Sequence, residues 1–203
     1  LSHDGLGAPV APTGMTWSGF RPSDDACRYG YLVPSNLFAM VTLGHLGEIA
    51  RTVWGDERIM TQAEGLAAEI DAGLRAHAVI EDEAIGGPVY AYEVDGFGNH
   101  HFMDDANVPS LLSLPYLGAC AADDEIYQNT RRLILSARNP YYYAGTQACG
   151  IGSPHTPAGY VWHISLSMQG LTSTSVDEMD GLIDMLERTD GGTGYMHEGF
   201  HPD

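Results

Sequence analysis

A chain of 203 residues with 44% hydrophobic content holds enough apolar material for one sizeable core, so its length suggests a single domain. Lys and Arg number 9 against 27 Asp and Glu, and the formal charge of -18 repels a phosphate backbone, which sets nucleic acid aside as a partner. No run approaches the ~18 consecutive apolar residues of a membrane helix, so no membrane partner is expected.

The predicted elements are mostly helical. From Ser35 to Trp54 the residues Leu37, Phe38, Val41, Leu46, Ile49, Ala50 and Val53 recur three or four apart, which predicts a core-facing helix with Ser35 as its cap after Pro34. A second helix is predicted from about Met60 to Ile80, with Ala63, Leu66, Ala67, Ile70 and Leu74 in one stripe opposite Glu64, Glu69 and Asp71. The pattern turns β-rich over Val89–Val94, and Asp95-Gly96-Phe97-Gly98-Asn99 reads as a hairpin turn. Helical spacing resumes at Val108–Leu117, Asp123–Ser136 and Tyr160–Leu171. The last helix starts at Ser175, where Glu178 completes a capping-box pattern and Val176, Met179, Leu182, Ile183 and Leu186 face inward.

The connections are long and rich in Trp, Tyr, His, Asp and Asn: Gly14–Asp25, Asn99–Asn107, Asn139–Gly159 and Asp190–Asp203. Loops of that composition suggest a binding surface. They carry the polar clusters Arg21–Asp25, Met103–Asn107, Ser153–His155 and Met196–Glu198. Paired carboxylates among aromatic residues suit sugar hydrolysis, where one carboxyl protonates the leaving oxygen and another activates water or attacks carbon. Trp17, Phe20, Tyr142 and Tyr143 are rings that could pack on sugar faces. A plainer reading stands beside each cluster: Asp24-Asp25 as a turn former, Asp105 as a cap for a helix near Val108, His155 as a hydrogen-bonding loop residue, and His197-Glu198 as a solvated tail.

Asp104, Asp105, His155 and His197 are metal-ligand types, yet there is no H-E-x-x-H, no Asp-x-Asp-x-Asp loop and no paired His at helical spacing, so no metal and no cofactor is expected. Neither a G-x-S-x-G elbow nor a phosphate-cradling glycine loop is present. Cys27, Cys120 and Cys149 form no C-x-x-C pair and read as buried thiols, a Cys120–Cys149 bridge staying open for an exported protein. The chain opens on Leu1, so upstream residues, with any leader among them, are expected to be missing; the reading leans to the cytoplasm with secretion left open.

These clusters together resemble glycoside hydrolase family 125, the exo-acting α-1,6-mannosidases. The resemblance lies in Thr13–Asp25 (TGMTWSGFRPSDD) running into Tyr31–Phe38 (YLVPSNLF), Met103–Gly118 (MDDANVPSLLSLPYLG), Gly150–His155 (GIGSPH) and Met196–Phe200 (MHEGF). It implies an all-α (α/α)6 barrel, present as roughly its C-terminal half with a small β-hairpin insertion, so that residues 1–203 form one incomplete catalytic domain. It further implies inverting, metal-independent hydrolysis of non-reducing terminal mannose on an oligosaccharide or N-glycan. The acid falls at Asp24 or Asp25, with Asp25 preferred on its chain distance to the base, Glu198. Arg21, Asp104, Asp105, Asn107, His155 and His197 match motif positions expected to line the sugar pocket. The alternatives are another (α/α)6-barrel hydrolase with a different sugar and a catalytically silent carbohydrate-binding fragment. Half a ring is expected to leave apolar flanks exposed and Glu198 in a segment with little downstream structure to hold it.

Overall fold

Helix α1 (Val33–Ile49) starts where Pro34 can enter a first turn, since that position needs no N–H and proline's fixed φ suits it. Its cap residue is Leu32, with no side-chain cap, so Ser35 lies inside the helix rather than ahead of it. In this computed structural model of residues 1–203, α1 runs on through a π-helical stretch, Ala50–Trp54, until Gly55 turns the chain at φ +63°. Asp56 then caps α2 (Glu57–His77), its carboxylate accepting the amide N–H of Arg58 and Ile59, both at 3.0 Å. So short a link between two packed helices makes them an antiparallel pair.

The sheets are more extensive than the single hairpin the sequence suggested. Strands β1 (Tyr31–Leu32), β4 (Glu93–Val94) and β5 (His100–His101) form an antiparallel sheet in the order β1-β4-β5. Two separate hairpins stand beside it: β2 (Val79–Asp82) with β3 (Gly87–Tyr90), and β6 (Tyr142–Ala144) with β7 (Cys149–Ile151). The chain is therefore helical with some small sheets. The turn at Asp95–Asn99 forms as expected, because the Asp95 carboxylate accepts both the Phe97 and Asn99 amides.

Val108–Leu117 departs from its helical spacing and is a series of turns. Pro109 and Pro115 lack amide donors, and the Ser110 and Ser113 hydroxyls each accept the other's backbone N–H, which offers the chain an alternative to a helical ladder. The Asp104 carboxylate takes the next two amides, those of Leu111 and Leu112, at 2.8 and 2.9 Å.

Helix α3 (Glu125–Ile134) is capped by Asp124, and α4 (His163–Leu171) follows β7. Ser175 caps α5 (Val176–Arg188) by accepting the Glu178 amide, but the Glu178 side chain reaches Arg131, Gln169 and Ser173 instead of closing the box. The main core gathers Leu32, Val33, Leu37, Ile70, Leu74, Tyr92, Met103, Leu111 and Tyr127; a smaller one joins Ala148, Val161, Leu166, Leu182 and Phe200. Several residues expected to face inward are exposed: Phe38 and Val53 along α1, Leu66 on α2, and Val176 and Ile183 on α5. Between α4 and α5 an apolar groove of about 350 Å³ is lined by Leu166, Leu171, Met179, Leu182, Ile183 and Leu186 among others. The three cysteines are unbridged and half-buried, not buried. No helix is long and apolar enough to cross a membrane.

Candidate active site

A loop of polar residues holds one shape only when its backbone groups are paired, and the backbone of the Arg21–Asp25 turn is paired across its base. Phe20 and Ala26 form a bridge, the Arg21 amide donates to the Asp25 carbonyl at 2.8 Å, and the Asp24 amide donates to the Arg21 carbonyl at 3.0 Å. Asp24 occupies the exposed tip at φ +66°, a left-handed conformation that aspartate adopts more readily than most residues. Beneath the turn, Arg21 Nε donates to Glu93 Oε1 at 2.6 Å, with both side chains buried. The other Glu93 oxygen accepts the amides of Arg28 and Tyr29 at 2.9 and 3.1 Å, so one carboxylate on β4 ties down both sides of the turn. Burial disfavours the Arg21 charge, but the hydrogen bond and charge of Glu93 outweigh it and hold the guanidinium above its ordinary value.

Two of the remaining clusters meet this turn. Ser23 Oγ donates to Asp105 Oδ2 at 2.8 Å, while Asp105 Oδ1 accepts the backbone and side-chain N–H of Asn107. The Ala106 amide donates to the Gly152 carbonyl at 3.0 Å, which joins the second cluster to the third. Gly152 has no room for a side chain, since a Cβ there would run into the Tyr160 carbonyl and lie 3.0 Å from the Tyr143 ring. Just beyond it, His155 Nδ1 lies 3.6 Å from Asp25 Oδ2. That carboxylate oxygen is itself buried and has no hydrogen-bond partner, although the Asp25 side chain as a whole is 29% exposed. A buried carboxyl oxygen without a donor in the protein is one that a ligand can engage.

Met196–Phe200 attaches through the chain just after His155. Val161 and Phe200 exchange backbone hydrogen bonds at 2.9 Å, Gly199 sits against the Trp162 indole, and Trp162 Nε1 donates to Thr156 Oγ1. Pro202 O accepts the amides of Gln147 and Ala148, so the chain after Glu198 is anchored rather than left in a loose tail. The Glu198 side chain is exposed.

A family model described as metal-independent alpha-mannosidase (GH125) matches residues 1–203. The chain belongs to glycoside hydrolase family 125. It is 46% identical over 200 residues to the meiotically up-regulated gene 157 protein of Schizosaccharomyces pombe, covering 98% of this chain and 39% of the yeast protein. It also superposes, with a TM-score of 0.97 and 52% identity, on a Streptococcus pneumoniae structure in a non-productive complex with alpha-1,6-mannobiose, from work on metal-independent alpha mannosidases and N-linked glycan processing. The chain is covered completely by that comparison and spans 48% of the streptococcal chain.

Within this family 125 chain, the sequence-predicted residues fall into distinct places. Asp25 meets His155, while Ser23, two residues earlier in the same turn, meets Asp105 and through it Asn107. Arg21 is spent on Glu93 beneath the turn, and Asp104 is wholly buried, where desolvation pushes its carboxyl up to about 8 against the opposing pull of the Leu111 and Leu112 amides. His197 folds its ring back so that Nε2 lies 2.8 Å from the Asp190 carbonyl. Trp17 packs over Gly30 and Gly7, whereas Phe20 stands 53% exposed beside the turn. Two residues that motif reading passed over hold the site together: Glu93, and His163, buried against His197 and Phe200.

Proposed function

We propose that this chain carries the catalytic carboxylates of an exo-acting, inverting α-mannosidase that removes non-reducing terminal α-1,6-linked mannose. The observation that carries the reading is the family match across all 203 residues, strengthened by a 52% identical relative held with alpha-1,6-mannobiose. Asp25 is read as the acid that gives its proton to the glycosidic oxygen. Its buried, unpartnered Oδ2 supports that role, and the exposed tip position of Asp24 argues against the neighbouring carboxylate. Glu198 is read as the base that takes a proton from the water attacking the anomeric carbon on the opposite face. Inversion asks for roughly 6.5–9.5 Å between two such carboxyl groups, the space a water needs. Asp105 and Asn107, linked to the Asp25 turn through Ser23, are read as partners for mannose hydroxyls, and an N-glycan or other mannose oligosaccharide as the substrate.

The reaction is complete with two carboxylates and a water, so dialysis against EDTA is expected to leave the rate on α-1,6-mannobiose unchanged. Proton NMR of the first-formed sugar is expected to show β-mannose. Initial release of α-mannose would refute inversion, and a rate lost to EDTA and restored by zinc or calcium would refute metal independence.

We further propose that the five helices are an arc of an (α/α)6 barrel, which would cover the apolar side chains of Phe38, Val53, Leu66 and Ile183 with neighbouring helices. Residues 1–203 expressed alone are then expected to unfold over a broad thermal range with little mannosidase activity. A sharp transition in a monomer with parental activity would contradict the barrel reading.

A further inference from the structure

Glu198 presents its side chain to solvent, yet a general base works only when its carboxylate is held against one water in one place. The hold on it comes from the start of α4. His163 is 1% exposed, and its Nδ1 lies 2.7 Å from the His197 amide nitrogen. For that amide to donate, Nδ1 must carry no proton, so the proton belongs on Nε2. Nε2 lies 2.8 Å from Thr189 Oγ1, and the Thr189 hydroxyl donates onward to the Met185 carbonyl at 2.7 Å, which leaves its lone pairs free to accept. Nδ1 is also 3.1 Å from the His197 carbonyl, but a nitrogen that accepts cannot donate, and the shorter amide contact decides the tautomer. The same ring stacks on Phe200 with centroids 4.4 Å apart and planes at 23°. His197, Gly199 and Phe200, the residues around Glu198, are thus all held by the adjoining pair Trp162 and His163.

We propose that His163 is the positioning residue for the catalytic base: a neutral Nε2–H imidazole that fixes Glu198 through an amide hydrogen bond before it and a ring stack after it. The proposal rests on Glu198 being the base. It also makes the site sensitive to acid, because an imidazolium would aim a donor at the His197 N–H and turn the contact repulsive. The titratable groups facing the ring are His197, with ring centroids 5.8 Å apart, and Asp190 at the end of α5. Burial holds His163 below the ordinary histidine value of 6.5, against the opposing pull of the backbone acceptors of His197 and Thr189. The folded state therefore binds this proton less readily than the unfolded chain does. The associated stability is fully present above the unfolded value and is lost as pH falls through the folded one.

The test compares two variants of the intact enzyme on α-1,6-mannobiose. His163→Phe keeps the ring stack and removes the acceptor; His163→Asn places an amide oxygen near the Nδ1 position and cannot titrate. His163→Phe is expected to lower kcat about 10-fold or more with KM little changed, as a displaced catalytic group does. His163→Asn is expected to regain most of that loss and to hold its activity further into acid than the parent. Nitrogen-15 NMR of the parent should show Nε2 protonated and Nδ1 bare, with the His197 amide protected from exchange in the parent and exposed in His163→Phe. Glu198→Gln, run in parallel, separates the two ideas. If it is inactive while His163→Phe keeps parental kcat, the positioning role is wrong; if it stays active, the base assignment fails first. Should His163→Phe not fold, a proton found on Nδ1, or an acid limb unchanged in His163→Asn, would overturn the proposal.

Discussion

Asp25→Asn and Glu198→Gln are each expected to lower turnover of α-1,6-mannobiose by about 10²-fold or more, the usual scale for losing a general acid or base. Substrate binding should largely survive, because neither change removes the hydroxyl partners read in Asp105 and Asn107. The two variants should part company on an aryl mannoside with an acidic phenol. Such a leaving group departs without protonation, so Asp25→Asn recovers much of its rate there, while Glu198→Gln still lacks a group to activate water. Asp24→Asn serves as the control, since Asp24 occupies the exposed tip of the turn and should cost far less. Steady-state kinetics on both substrates decide the matter. Near-parental activity in Asp25→Asn and Glu198→Gln would remove the assignment, and a larger loss in Asp24→Asn would move the acid one residue back.

What was legible in the sequence is whatever local chemistry decides. Ser175 starts its helix because its short side chain takes one of the first free amides, and that cap was readable. The four polar clusters were readable as a candidate binding surface because loops so rich in Asp, His and aromatic residues cost much to order without a ligand to bind. The misreadings came where long-range partners decide. Val108–Leu117 has helical spacing, but its prolines and the Ser110–Ser113 pair favour turns, and the buried Asp104 fastens them. Phe38 and Val53 recur at helical intervals, yet their side of α1 meets no partner within these residues. Glu93 and His163 sit inside apolar runs, Val89–Val94 and Val161–Leu166, where a lone polar residue at a core position was the available hint. Neither run says which loop the polar side chain will reach.

Glu93→Ala is expected to destabilise the protein by about 3–5 kcal/mol, the scale seen when one partner of a buried ion pair is removed. The cost arises from what stays behind. Arg21 would keep its charge in a site where its side chain is 7% exposed, and the amides of Arg28 and Tyr29 would lose the oxygen they share. Glu93→Gln should cost less, because its carbonyl oxygen can still accept from one side of the turn. Replacing both members, Arg21→Met with Glu93→Gln, removes the stranded charge and should restore part of the stability lost in Glu93→Ala. Activity should not return with it. The Arg21–Asp25 turn would no longer be fastened to β4, and a turn free to shift by about 1 Å can cost roughly 10²-fold in rate. Denaturant unfolding of the variants, measured alongside kcat on α-1,6-mannobiose, separates the two effects. If Glu93→Ala lost less than about 1 kcal/mol, the pair would be behaving like an exposed salt bridge. If the double variant regained full activity, the tether between β4 and the Asp25 turn would have no part in placing the acid.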